Sequence, residues 1–154
     1  MALVVEDGTG LSNADTIATR QELIDWALKR GVVVPADDTS DKYLVLAMDF
    51  IATSSYIGTP VSEDQALPFP RDPFGIPANV KRAQILLALA AFQGIKLMAN
   101  ESAGRQLKRR DVGPMKREYA DGDGRQFAIV PGVGELLLPF ILSGGGFKLV
   151  TRRA

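Results

Sequence analysis

Two residue types are missing from this 154-residue chain altogether, cysteine and histidine. Their absence removes disulfides, thiolate nucleophiles, serine–histidine–aspartate machinery and the common zinc sites in one step. A cysteine-free chain fits a reducing cytosolic origin without requiring one. No apolar run approaches the roughly 18 residues that would span a bilayer, and no basic segment followed by an apolar stretch opens the chain. It therefore reads as soluble and unprocessed, with no membrane partner. An excess of either charge is missing too: 18 Lys and Arg balance 18 Asp and Glu. A net charge of zero argues against a dedicated nucleic-acid binder.

What is present is unevenly distributed. Residues 1–75 hold twelve acids and five bases, a net −7, whereas residues 76–154 hold six acids and thirteen bases, a net +7. If the halves do not interleave, one subunit has an acidic flank and a basic flank, which favours head-to-tail association. The length suits one domain that buries about 70% of its unfolded surface and needs no covalent staple.

Local signals predict a mainly α fold: a small bundle of about four helices, a short β-ribbon near 105–120 and an extended C-terminal tail. Residues 1–142 form the single predicted domain and 143–154 the glycine-hinged tail. The opening VVEDGTG resembles a dinucleotide fingerprint only superficially, since no third glycine or prompt helix follows; Gly8 and Gly10 read as turn residues. Thr19 and Glu22 in TRQE form a capping box, and Leu23, Ile24, Ala27 and Leu28 follow on one face before a stop at Gly31. A second helix is expected from Ser40 or Asp41 to about Ile57. Leu44, Ala47, Met48 and Ile51 lie on one of its faces and Tyr43, Leu46 and Phe50 on another, so it should be buried on two sides, with Asp49 on a narrow solvent or interface stripe. Pro77 suits the first position of a third helix, and Val80, Ala83, Leu87 and Ala91 recur at helical spacing through the run ILLALAAF, which marks the central helix. Lys81 and Arg82 on its first turn read as solvated charges. A last helix in VPGVGELLLPFIL should be bent or interrupted near Pro139.

Three segments are candidates for function. The first is basic: Arg105, Lys108, Arg109, Arg110, Lys116 and Arg117 surround Gly113 and Pro114, which exclude a helix and point to a turn between two strands or a bulge in one ribbon. These bases should face DNA or an acidic neighbour, and only Tyr119 in the segment, with Phe127 nearby, offers a ring on which a base could stack. The second is the proline-rich loop ALPFPRDPFG, a stiff surface loop in which Leu67, Phe69 and Phe74, with Arg71 among them, either cap the chain's own core or touch a neighbouring subunit. The third is the tail. Phe147, Leu149 and Thr151 alternate with Lys148 and Val150 as in a strand, which folds back on its own ribbon or adds to the sheet edge of another subunit, with Arg152 and Arg153 at the rim.

No segment carries a catalytic signature. The carboxylate pairs Asp37–Asp38 and Asp121–Asp123 lie in turn-like segments, and ADGDG lacks the closing glutamate of a calcium loop. No catalytic residue, metal or cofactor is expected, and the chain does not read as an enzyme.

The order of features is itself recognisable. ALVVEDGTG followed by NAD, the ALPFPRD loop, IPANVKRAQ opening the central helix, VGPMKREYAD, and VPGVGELLLPFIL before a glycine-rich tail together resemble a bacteriophage family labelled DnaT-like single-stranded DNA-binding proteins, whose members resemble head-tail connector, or adaptor, proteins of tailed phages. IPANVKRAQ and VGPMKREYAD are the most specific parts, and the likeness spans nearly the whole chain. It implies a subunit of a homo-oligomeric ring, a dodecamer by resemblance, in the virion neck at the portal vertex, made in the host bacterial cytoplasm. Its implied partners are the portal protein, a tail-side neck or stopper protein, and double-stranded DNA passing through the lumen. The alternative is the label taken literally, a single-stranded DNA-binding protein.

Overall fold

A computed structural model of the chain describes residues 2–98, 109–112, 115–118 and 130–142. The fold is mainly α. Helix α1 spans Arg20–Leu28, α2 Asp38–Ala52, α3 Ala78–Phe92 and α4 Val133–Leu137, the last running into a 3-10 turn at Leu138–Phe140. Two small antiparallel pairs complete it: β1, Thr59–Pro60, with β2, Arg71–Asp72, and β3, Arg109–Val112, with β4, Met115–Glu118.

The helices begin where their side chains can satisfy free amides. Thr19 caps α1 through the expected box, its hydroxyl accepting from the Glu22 amide while the Glu22 carboxylate accepts from the Thr19 amide at 2.7 Å. Such a cap is worth about 1 kcal/mol. Helix α2 starts earlier than the expected Ser40 or Asp41, because Asp37 accepts from the Thr39 amide and draws the first turn back to Asp38. It also ends earlier, at Ala52 rather than near Ile57, and Tyr56 pairs instead with Ile141 in an isolated antiparallel bridge. Pro77 is the residue just before α3, with ψ at 139°, one position earlier than expected. The last helix is interrupted at Pro139, as its sequence requires, by the change to a 3-10 turn.

Helix α3 is the axis of the core, packing on α1, α2 and α4. Its Val80, Ala83, Leu87 and Ala91 are buried, as are Leu44, Ala47, Met48 and Ile51 of α2. Burial of α2 on two sides holds only in part: Phe50 is buried and Tyr43 packs against the core, but Leu46 is exposed. On α1, Leu23 and Ala27 are buried while Leu28 projects into solvent.

A buried polar hub joins these helices. The Gln84 side chain on α3, fully buried, accepts from the Ile17 and Ala18 amides at 3.2 and 2.9 Å and donates to the Thr16 hydroxyl at 2.5 Å and the Leu44 carbonyl at 3.0 Å. One side chain thereby ties α3 to α2 and to the segment before α1. Each of these groups would cost about 1–3 kcal/mol if left buried and unpaired. Among the described residues, no helix is long and apolar enough to cross a membrane.

Candidate nucleic-acid interface

The basic segment forms the β3–β4 ribbon over its described positions. The register sets Arg109 opposite Glu118, Arg110 opposite Arg117, Asp111 opposite Lys116, and Val112 opposite Met115. Opposed residues share a face of a ribbon, and successive residues alternate faces. The Arg109–Glu118 and Asp111–Lys116 positions therefore share one face and compensate in charge. The Arg110–Arg117 and Val112–Met115 positions share the other, where two like charges stand opposed. Among the described elements, each strand of the ribbon packs on the other and on nothing else. Arg105 and Lys108 lie outside the described residues, as do Tyr119 and Phe127.

The proline-rich loop is placed in detail. Phe69 is fully buried, with its ring against Tyr56 at 4.9 Å and Phe140 at 6.1 Å between centroids. Leu67 is half-buried against the same core, and Phe74 is 37% exposed with its ring 5.5 Å from Phe140. Arg71 braces the loop from within, donating to the Ile57 carbonyl at 2.9 Å, the Gly58 carbonyl at 2.7 Å and the Pro68 carbonyl at 3.4 Å. Gly58 must be glycine: its φ is +85°, and a Cβ there would lie 2.5 Å from the Asp72 carbonyl oxygen. The tail candidates Phe147, Lys148, Leu149, Val150, Arg152 and Arg153 lie outside the described residues.

Rings available for stacking on bases are few. Among the described residues Phe74 alone is an exposed aromatic, and it already packs on Phe140. Tyr43 meets Phe92 edge-on at 5.7 Å, and Trp26 carries the Arg30 guanidinium 3.8 Å above its ring.

The acidic groups of the helical body have structural roles that the sequence reading missed. Asp41, fully buried, takes a two-pronged contact from the part-exposed Arg20, with Nε to Oδ1 at 2.8 Å and a second, shorter contact from Nη2. Hydrogen bonding to Asp41 pushes the Arg20 guanidinium above its already high range. Glu6, also buried, accepts from the amides of Gly8, Gly10 and Leu11 at 2.8–3.0 Å and so shapes the opening loop. Asp37, expected as a solvated turn, is exposed but caps α2. Lys81, expected to be solvated, pairs with Glu22 at 3.0 Å, while Arg82 and Asp49 are exposed. Burial alone would raise the Glu22 carboxyl, but the Thr19 amide and Lys81 outweigh it and hold it below the usual glutamate range. Burial pushes the Tyr56 phenol up to about 12, against a smaller lowering by Ser54. Among the described residues, no group of three or more His, Cys, Asp and Glu could hold a metal ion.

Signals for these contacts existed: Asp41 falls in the buried series of Leu44, Met48 and Ile51, and Gln84 is a lone amide inside an apolar helix. Periodicity marks such positions as buried but does not supply their partners, which are distant in sequence.

A helical body with two small antiparallel strand pairs defines a small, mainly α protein. The chain belongs to the family described as "Putative DnaT-like ssDNA binding protein", whose model matches residues 1–154. No curated protein and no solved structure matches it.

Proposed function

We propose that this chain is a structural head-tail connector subunit of a tailed bacteriophage, forming a homo-oligomeric ring beneath the portal that extends the DNA channel and joins head to tail. The observation that carries this reading is the uneven distribution of charge along the sequence. Residues 1–98, which contain α1 to α3, hold twelve acids and eight bases, and residues 99–154, which contain the β3–β4 ribbon, hold six acids and ten bases. A net −4 followed by a net +4 suits a heterologous, head-to-tail interface that closes into a ring. The order of motifs bears on the same reading: IPANVKRAQ and VGPMKREYAD resemble the DnaT-like family, whose members resemble connector proteins. In this role the chain has no catalytic step: it contributes shape, charge and repeated contacts. Its partners are further copies of itself, the portal protein, a tail-side neck protein, and duplex DNA in the lumen.

The family's description favours a second reading, a single-stranded DNA-binding protein. Sequence-tolerant binding to single strands combines a basic groove with stacking aromatics. The described rings are engaged within the body, which weighs for the connector. Native mass measurement of the purified chain, alone and with portal protein, separates the two. A ring-sized species, or a stoichiometric complex with portal, is expected. A chain that stays monomeric in both samples and binds an oligo-dT strand far more tightly than duplex would overturn the connector in favour of the single-strand binder.

A further inference from the structure

We infer that Arg110 and Arg117, opposed on one face of the β3–β4 ribbon, form a binding position for a backbone phosphate of nucleic acid, and that Arg109 and Lys116 do not. The inference rests on the chain's handling of nucleic acid, and holds whether or not that occurs in a ring. The sequence shows only a run of bases; the register divides them. Arg109 stands opposite Glu118 and Lys116 opposite Asp111, so each has an acid at its own cross-strand position. Arg110 and Arg117 stand opposite each other. On their face the next pair is Val112 and Met115, so no acid among the described strand residues offsets them. Like charges directly opposed weaken a ribbon, and an anion placed between them reverses the sign of the interaction. Two guanidinium groups offer forked donors matched to a phosphodiester, which can accept from both. Contact of this kind positions a strand without reading its bases.

The test compares two double variants of the full chain that remove the same charge: Arg110→Gln with Arg117→Gln, and Arg109→Gln with Lys116→Gln. Binding to a labelled 30-nucleotide oligo-dT and to a 30-base-pair duplex is followed across a salt series. The first variant should lose about tenfold or more in affinity at low salt, and its log–log salt slope should shrink by about 0.7 on the single strand or about 0.9 on the duplex, as expected for one phosphate. The probe showing the larger fold loss in affinity identifies which form of nucleic acid the ribbon meets. The second variant should change much less. Arg117→Glu supplies the independent check: it makes all three charged cross-strand pairs complementary, so ribbon amide protection should hold or rise while DNA binding falls. Equal losses in the two double variants would overturn the assignment, since the charge would then act in bulk. So would wild-type protein that binds neither probe at 20 mM salt, or a first variant that loses self-association while keeping its DNA affinity; the mass measurement would still decide the connector separately.

Discussion

The helical body and the β3–β4 ribbon solve their electrostatics in opposite ways. In the body, the buried charges have partners: Asp41 has Arg20, and Glu6 has three backbone amides. In the ribbon, two arginines are set opposite each other with no acid on their face among the described strand residues. Pairing lowers the cost of each buried charge in the body, whereas like charges at opposed positions weaken a ribbon.

That contrast can be broken most forcefully at Phe69. Replacing it with Ala removes a fully buried ring that holds Tyr56 and Phe140 together, and should cost about 3–5 kcal/mol in chemical denaturation. A loss under about 1 kcal/mol would mean that the proline-rich loop lies outside the cooperative core. Gln84→Leu comes next. It leaves two amides and a carbonyl without their buried partner, and should cost about 3 kcal/mol despite the gain in apolar volume. Equal or greater stability than wild type would show that water replaces the glutamine there.

The smallest effect is a pH dependence. Because the folded Glu22 carboxyl is held below its ordinary value, its contribution is present above the usual glutamate pKa and is lost as pH falls through the lowered folded value. Both Glu22 and Lys81 are partly exposed, so the loss should be small and should fade in high salt. Glu22→Gln should flatten stability between about pH 5 and pH 3 relative to wild type. An unchanged slope in urea melts across that range would remove the pair from the account.

What the sequence revealed follows from the distance over which each interaction acts. The Thr19–Glu22 box, the buried series Val80, Ala83, Leu87 and Ala91, and the interruption at Pro139 are all settled within a few residues, and all were legible. The start of α2 was misplaced by two or three residues because three potential caps, Asp37, Ser40 and Asp41, crowd one turn. Only the fold shows that Asp37 takes the capping role while Asp41 turns inward to Arg20. The depth of Phe69 was hidden for a similar reason: a stiff proline-rich loop can lie over a core or insert into it with the same local pattern. A ribbon around Gly113 and Pro114 was expected, but its register was not, and a slip of one residue exchanges the two faces. The division of the basic cluster into compensated and opposed pairs therefore had no counterpart in the sequence.

Gln84 also has a consequence for the time course of biosynthesis. Its bonds to Ile17 and Ala18 close loops of 67 and 66 residues, whereas α2 and α3 are joined by a much shorter connection. Long closures form after short ones when the entropy of the intervening chain must be lost first. During synthesis the segment before α1 emerges early and has no acceptor for its two amides until α3 has left the ribosome. The segment before α1 is thus fixed only after α3 has been made, and a pause in translation between residues 18 and 84 would leave it exposed.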